Sequence, residues 1–331
     1  MKVCNLKGLG ALVLMILVIL VFCGFKSNKN VAELKKVKIG CNRLRVSLPL
    51  FVAQEQGIFR KNGLNVELVM FDTAQPLMDA LCAGHLNAAG YTAFPITFSA
   101  QMRSKKQLYY ATALVEDDEH PISMLMVKKD SRINGIADLR GKRIGILPTF
   151  AYRAWLDMIL KENNISNKEV VVQMIAPALT PAALASGSVD AMFTNDPAIT
   201  TTVQKGIGRV LYNGAIVPKY LWSPLPFGSF NLSKEFVDNN PDTAQRIVKS
   251  LDEAIAIINK DPNKAKKMMA NYLPEAERPF VHHYPDSLYQ NSREVSRKDF
   301  ERLADSYLKE GIIKERLDVK GLVYDYKPRG E

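Results

Sequence analysis

A short stretch near the start of the chain decides the predicted fold. Residues 49–68 read PLFVAQEQGIFRKNGLNVEL. Apolar residues recur at helical spacing over residues 48–59, a glycine turn follows, and a mostly apolar run predicts a strand over residues 65–71. Before this stretch, residues 37–41 also alternate apolar and polar side chains, which indicates another strand. The order strand, loop, helix, turn, strand is typical of an α/β unit.

The same alternation continues towards the middle of the chain. Further short apolar runs predict strands at residues 86–90, 108–114, 123–127, 143–147, 170–175, 189–193 and 209–212, with helical segments between most of them. From residue 233 onward the pattern is helical. Strands that alternate with helices imply parallel sheets covered on both faces. Two such units followed by a helical tail predict two lobes with a cleft between them.

The composition is that of a globular protein with a basic balance. The chain has 331 residues, of which 47% are hydrophobic and 24% charged, and a formal net charge of +10. Residues 1–22 carry two lysines and no acid, and residues 26–45 carry seven basic residues and one acid, so residues 46–331 hold a net charge of only +2. Beyond residue 45 acids and bases interleave, which argues against a nucleic-acid-binding groove.

The first residues have the pattern of an export signal. Lys2 and Lys7 precede an uninterrupted apolar run, residues 11–22, which is short for a transmembrane span and typical of a secretory signal. The run ends in LVFC, residues 20–23, and resembles a bacterial lipobox whose cysteine, Cys23, is lipidated; Phe22 departs from the small residue usual at that place. An uncleaved membrane anchor and ordinary cleavage nearby are the alternatives. Residues 23–36 would then be a polar tether outside the cytoplasm.

Four sequence blocks in order resemble one protein family. Residues 49–68 resemble the opening helix, turn and second strand of the nitrate/sulfonate/taurine group of substrate-binding proteins for ABC importers, with its A-x-x-x-G-x-F and G-L-x-V-E patterns. Residues 79–89, 138–145 and 183–191 resemble three further units of that family. Asn87 stands where the family usually has Asp, which affects a local turn rather than the fold.

The resemblance implies a bilobed periplasmic-binding-protein fold of type II, with two doubly wound α/β lobes joined by a hinge. Residues 37–124 and 223–331 would form lobe I, and residues 125–222 would form lobe II. It also implies an extracytoplasmic monomer that closes its lobes on a small solute and presents it to an ABC permease and its ATPase. Hinge closure around a ligand is the established mode of such proteins.

The candidate site residues lie in loops after strands. In doubly wound sheets ligands sit beyond the carboxyl ends of strands, where helix N-termini offer free backbone N–H groups. The resemblance places the family's ligand loops at residues 42–45, 73–75, 90–93, 149–152 and 195–197. The candidate ligand-binding residues in these loops are Arg43, Arg45, Gln75, Tyr91, Thr92, Thr149, Phe150, Tyr152, Asn195 and Asp196.

These candidates differ in the chemistry they offer. Arg43 and Arg45 would clamp an oxyanion by charge-assisted hydrogen bonds, unless they are solvated loop residues. Gln75, Tyr91 and Thr92 offer neutral hydrogen bonds. The clamp favours an anionic solute.

The remaining candidates each allow a structural and a binding role. Thr149 either caps a helix, with its neighbouring N–H groups still facing the cleft, or contacts the solute itself. Phe150 and Tyr152 either line the site, which favours a planar or heteroaromatic ligand, or pack between the lobes. Asp196 either caps a helix or turn or meets a ligand amine.

The predicted function is therefore solute binding for an ABC importer, with nitrate, a sulfonate or taurine as the expected solute. A binding protein for a pyrimidine or other heteroaromatic precursor is the alternative, as is an enzyme on the same fold. No catalytic motif is recognisable, and the cysteine-rich signature of a pyrimidine-precursor synthase is absent. We expect no cofactor and no metal site, because the four histidines are dispersed and Cys41 and Cys82 have no metal-ligand spacing.

Overall fold

The computed structural model describes residues 34–327. The predicted signal, Cys23 and most of the predicted tether lie outside the described residues. Within residues 34–327 no helix is both long enough and apolar enough to cross a bilayer.

A six-stranded sheet is built from the two ends of the described chain. Its order is β11-β4-β10-β3-β1-β2. The strands are β1 (Lys35–Asn42), β2 (Leu64–Phe71), β3 (Ala88–Ala93), β4 (Leu108–Glu116), β10 (Leu225–Ser233) and β11 (Leu288–Gln290).

A five-stranded sheet is built from the middle of the chain. Its order is β7-β6-β8-β5-β9. The strands are β5 (Met124–Lys128), β6 (Arg143–Ile146), β7 (Val171–Met174), β8 (Ala191–Thr194) and β9 (Gly208–Val210). The chain therefore leaves the first sheet after β4 and returns to it with β10.

Both sheets are mixed, so the expectation of wholly parallel sheets is wrong. Strand β1 pairs in parallel with β2 and β3, and β6 pairs in parallel with β7 and β8. Strand β10, however, runs antiparallel to β3 and β4, and β5 runs antiparallel to β8 and β9. At β5 and β10 the chain passes from one sheet to the other, and β11 also runs antiparallel to its neighbour β4.

Helices cover the sheets and form most of the C-terminal part. They are α1 (Leu48–Glu55), α2 (Ile58–Lys61), α3 (Ala74–Cys82), α4 (Phe94–Ser104), α5 (Phe150–Glu162), α6 (Thr180–Ser186), α7 (Ala198–Gln204), α8 (Lys234–Asn239), α9 (Pro241–Lys260), α10 (Pro262–Met269) and α11 (Arg297–Lys309). Helix α9 shows why the tail is helical: between Ala244 and Ile258, buried apolar side chains recur along one face at a spacing of three to four residues.

One apolar core extends between the two sheets. Trp155 of α5 is fully buried, and its ring lies 5.5 Å from that of Tyr152 and 5.4 Å from that of Phe227, a residue of β10. Because Phe227 belongs to the six-stranded sheet and α5 follows β6 of the other, this aromatic contact joins the two halves.

Two matching turns occur, one in each sheet. The side chain of Asn87 accepts a hydrogen bond from Lys38 N at 2.8 Å, and that of Asp190 accepts one from Arg143 N at 2.8 Å. Each turn thus ties the start of one strand to its parallel neighbour. The amide of Asn87 makes the contact for which the family resemblance leads one to expect a carboxylate.

The two cysteines of the described part are free thiols. Cys41 is buried in β1, with its sulfur 3.5 Å from the sulfur of Met70, and Cys82 is partly buried at the end of α3. Burial raises the pKa of Cys41 to about 12, so this thiol is protonated and inert at neutral pH.

Candidate functional site

A narrow cavity lies where the carboxyl ends of strands from both sheets meet. The volume of this cavity is about 50 Å³. A single water needs about 10–15 Å³ by that measure, so the cavity has room for a small solute. Its wall is formed by Asn42, Leu44, Val46, Asp72, Thr73, Ala74, Tyr91, Ala93, Ile96, Leu147, Pro148, Thr149, Tyr152, Pro177, Asn195 and Phe227.

Tyr152 and Asn195 bring unpartnered polar atoms to this wall from the five-stranded sheet. Tyr152 lies in the first turn of α5, and Asn195 follows β8; their side chains are 2% and 4% exposed. Neither the Tyr152 hydroxyl nor Asn195 Oδ1 has a partner with hydrogen-bond geometry in the described chain. Buried polar atoms without partners are costly, and a ligand is one way to satisfy them.

The hydroxyl of Tyr152 is held in an apolar setting. Its ring packs against Trp155 and, at 4.7 Å, against Phe193. Burial raises the pKa of Tyr152 well above its ordinary value, the nearby Glu116 carboxyl raises it further, and the neighbouring Asn195 side chain lowers it. The hydroxyl is therefore neutral at physiological pH and available as a hydrogen-bond donor or acceptor.

Tyr91 contributes a ring rather than a free hydroxyl. It lies in β3, is 1% exposed, and shares a 2.6 Å hydrogen bond with the Thr112 hydroxyl. Its ring is held edge-on to that of Tyr289 at 5.3 Å. With Tyr152 and Phe227 it gives the wall three aromatic side chains.

Thr149 fixes the start of α5 at the cavity. Its hydroxyl accepts a hydrogen bond from Tyr152 N at 3.4 Å, which makes it the N-cap of the helix. The positive end of a 13-residue helix therefore points its first backbone N–H groups at the wall. Thr149 therefore both caps α5 and lines the cavity.

Asp72 is the one lining residue that carries a formal charge, and no lysine or arginine lines the cavity. The structure places Arg43 on the surface, where its guanidinium donates to the Tyr272 carbonyl at 3.1 Å. It places Arg45 beneath the cavity wall, 2% exposed, where Nη1 and Nη2 donate to main-chain carbonyls. Neither arginine is positioned as a clamp on a ligand in the cavity.

Four other sequence candidates also lie away from the cavity wall. Gln75 donates to Asp79 at 3.1 Å near the start of α3, and Phe150 is 43% exposed at the start of α5. The Thr92 hydroxyl is buried and shares a 2.8 Å hydrogen bond with Thr97. Asp196 is buried and accepts hydrogen bonds from Thr200 N and Oγ1, at 2.9 and 2.7 Å, across one turn of α7.

All five segments singled out from the sequence supply part of the wall, although often through a different side chain. Residues 90–93, predicted as a loop, belong to strand β3 instead. Asn42 and Leu44 line the wall in place of Arg43 and Arg45, and Thr73 and Ala74 in place of Gln75. These residues were missed because they are small or apolar, whereas the candidates were chosen for charge and hydrogen-bonding capacity. Phe227 was missed because β10 was not predicted.

Within residues 34–327 no group of three or more His, Cys, Asp or Glu side chains is arranged to hold a metal ion. The cavity offers aromatic faces, neutral hydrogen-bonding groups, a helix N-terminus and one carboxylate. This set suits reversible binding of a small molecule.

Comparison with known proteins gives consistent matches. The model of the NMT1-like family matches residues 30–273. A protein of Bacillus subtilis (strain 168) named as aliphatic sulfonates-binding is 25% identical over 334 residues, 96% of this chain and 94% of that protein. A protein of Haemophilus influenzae named for thiamine biosynthesis is 25% identical over 280 residues, 82% of this chain and 85% of that protein.

Among solved structures, the alkanesulfonate-binding protein SsuA from Xanthomonas axonopodis pv. citri, bound to MOPS, superposes with a TM-score of 0.69 and 22% identity. The match covers 89% of this chain and 99% of that one. The similarity confirms the expected two-lobed α/β fold of the periplasmic binding proteins.

Proposed function

Because the chain belongs to the NMT1-like family, we propose that it is the solute-binding component of an ABC importer, which closes two lobes on a small solute. The expected kinship with the nitrate, sulfonate and taurine binding proteins is confirmed at the level of the family. So is the expectation of a binding protein rather than an enzyme, since the sulfonate-binding relative and the SsuA structure are both named as binding proteins.

The observation that carries this proposal is the cavity walled by both sheets. Residues after β1 and β2 form one wall, and residues after β6 and β8 form the other. The proposed lobes, residues 37–124 with 223–331 and residues 125–222, separate along this boundary. A solute that bonds Tyr152 and Asn195 while touching the opposite wall would hold the lobes together.

The lining favours the second class of solute that the sequence suggested, a heteroaromatic precursor, over nitrate or a sulfonate. Three aromatic side chains, Tyr91, Tyr152 and Phe227, border the space, and Asp72 is its one charged lining residue. Asn195 Oδ1 and the Asp72 carboxylate are acceptors, so they call for N–H donors on the solute. An oxyanion would have to rely on the N-terminus of α5 and would meet the charge of Asp72.

The cellular setting that we propose follows from the N-terminal pattern. The mature chain would begin at Cys23, carry a lipid on that residue and sit outside the cytoplasm as a monomer. Its partners would be the solute, an ABC permease and the ATPase of that permease. No nucleic-acid partner is proposed.

A thermal-shift panel tests the solute class directly. We expect amino-substituted pyrimidines and related heteroaromatic amines to raise the melting temperature of the mature protein. A solute at about 100 times its Kd stabilises the folded state by about 2.7 kcal/mol. Nitrate, bicarbonate, taurine and an alkanesulfonate should give no shift at the same concentration.

Two variants control this panel. Asn195→Ala should lose the shift because it removes an acceptor from the wall, whereas Asn65→Ala, an exposed change in β2, should keep it. If only an oxyanion raised the melting temperature, an anionic solute would be favoured instead. Turnover of a panel compound without any stabilisation would overturn the binding-protein proposal.

A further inference from the structure

A buried ion pair joins the two sheets beside the cavity. Arg45 lies in the turn after β1, and Asp196 lies in the loop after β8. Their side chains are 3% and 0% exposed, and Arg45 Nε lies 3.6 Å from Asp196 Oδ2. The pair therefore connects the six-stranded sheet to the five-stranded one.

The rest of the Arg45 guanidinium is fixed within its own half of the molecule. Nη1 donates to the carbonyls of Pro285 and Asp286 at 3.2 and 3.0 Å and to the Ser287 hydroxyl at 2.9 Å. Nη2 donates to the Pro121 carbonyl at 2.5 Å. Pro121 lies between β4 and β5, where the chain passes from one sheet to the other. Only the Nε edge is left to face the opposite sheet.

Asp196 is likewise held by one of its two carboxylate oxygens within its own half of the molecule. Its Oδ1 accepts both hydrogen bonds from Thr200, so Oδ2 is left towards Arg45. Neither Arg45 Nε nor Asp196 Oδ2 has a hydrogen-bond partner in the described chain, although both are buried. An approach of a few tenths of an ångström would turn this contact into a charge-assisted hydrogen bond.

Other carboxylates nearby do not replace Asp196 as the partner of this edge. Glu116 is buried near Arg45, but its oxygens accept hydrogen bonds from Ile122 N and from Ser123 N and Oγ. Glu277 is close enough to Asp196 for the two carboxylates to repel each other. Removing the charge of Asp196 would leave the Nε edge of Arg45 buried without the carboxylate that faces it.

The pair is adjacent in sequence to the cavity wall on both sides. Arg45 stands between Leu44 and Val46, and Asp196 follows Asn195; these three neighbours all line the cavity. We propose that Arg45 and Asp196 are positioning residues whose contact sets the separation of the two walls, so that a solute drawing Asn195 inward completes the ion pair.

The role given to this ion pair rests on the proposed function, but the experiment that tests it needs no solute. The wall separation is a property of the solute-free protein, so a panel without any binding compound would leave the test below intact.

The test measures a distance between the sheets in the full chain without solute. Nitroxide labels on encoded azido side chains would replace Asn65 in β2 and Lys168 before β7, which are both exposed. In the Asp196→Asn variant, the amide oxygen retains the bonds from Thr200 while the charge is lost. We expect the mean label distance to lengthen and its distribution to broaden.

Asp190→Asn is the matched control. Asp190 pairs with Arg143 at 2.8 Å, and both residues belong to the five-stranded sheet, so its loss should leave the distance unchanged. Arg45→Met alone would be ambiguous, because it also leaves four oxygen atoms without their hydrogen-bond donor and could prevent folding. A folded Asp196→Asn protein with the parental distance distribution, whether or not its melting temperature falls, would refute the proposal.

Discussion

At the scale of single residues, the Tyr152 hydroxyl combines a cost to the free protein with a use in binding. It is buried in an aromatic setting and has no partner with hydrogen-bond geometry in the described chain. Such a group lowers the free energy of unfolding relative to an apolar group of the same shape. Its presence at the cavity is explained if the solute supplies the missing hydrogen bond.

Tyr152→Phe should therefore separate stability from binding. We expect the solute-free variant to unfold at an unchanged or higher urea concentration, with a gain of up to about 1 kcal/mol, because an unsatisfied hydroxyl is removed. Solute affinity should fall by about tenfold, since the lost hydrogen bond is worth about 1.4 kcal/mol. Urea unfolding and calorimetric titration with the best compound of the panel measure the two effects.

Tyr110→Phe provides the contrast for this experiment. The Tyr110 hydroxyl is also buried, but it donates to Gln101 at 3.1 Å away from the cavity. Its loss should lower stability and leave affinity unchanged. If the two variants behaved alike, the Tyr152 hydroxyl would have no special role at the site.

At the scale of secondary-structure elements, β10 decides how the larger sheet is assembled. It lies between β3 and β4 and pairs with both. Gly228 permits the close approach: a Cβ atom at this position would lie 2.3 Å from the Thr92 carbonyl oxygen and 2.7 Å from its carbon. These are main-chain atoms of β3, which cannot rotate away as a side chain can.

Gly228→Ala should destabilise the protein by about 3 kcal/mol, at the upper end for overpacking, because β10 must move away from β3. The urea midpoint measures the loss. In Gly321→Ala the new methyl group meets no atom within 4 Å, so the free energy of unfolding should stay within about 0.5 kcal/mol of that of the parent. Equal midpoints for the two variants would mean that β10 and β3 do not pack this closely.

Strand β10 is also a part of the larger sheet that could not be predicted from the sequence. The parallel strands β1, β2, β3, β6, β7 and β8 were predicted because each is a short apolar run beside a helix or turn. Strand β10 was not predicted, because Pro226 and Gly228 within it are typical turn residues. Its first eight residues are all buried, so the strand also shows no alternation of apolar and polar side chains. The sheet tolerates Pro226 at the second position of the strand and needs Gly228 for clearance.

The segments that form the cavity wall could be predicted from where the strands end. The roles of the individual side chains in these segments could not. Tyr91, Thr149, Tyr152 and Asn195 were predicted and line the cavity. The partners of Arg45 lie at residues 121, 196 and 285–287, far away in sequence, and no local pattern indicates that three carbonyls and a carboxylate will converge on one guanidinium. A charged loop residue was therefore assigned to the solute although it serves the protein's own interior.

At the scale of the whole molecule, the proposed lipid on Cys23 determines where the binding lobes operate. An acyl chain contributes about 0.8 kcal/mol for each buried CH₂ group, and more than one chain is needed for stable anchoring. The polar, lysine-containing segment after Cys23 would keep the folded part close to anionic head groups.

Cys23→Ser should release the protein from the membrane fraction. Fractionation of cells followed by immunoblotting measures the distribution, and Cys4→Ser, within the predicted signal, should leave the protein membrane-bound. Retention of the Cys23→Ser protein in membranes would instead indicate an uncleaved N-terminal anchor.

The return of the chain to its first sheet also affects how the protein is made. Strands β3 and β4 are not neighbours, since β10, more than a hundred residues further on, fills the place between them. Until residues 225–233 have left the ribosome, both strands have an edge that lacks its native partner, and unpaired edges invite wrong pairing. The larger sheet also needs β11, Leu288–Gln290, so it cannot be completed until residue 290 of the 331 has been made. The topology that brings two walls to one cavity thereby leaves strand edges open during most of the synthesis of the chain.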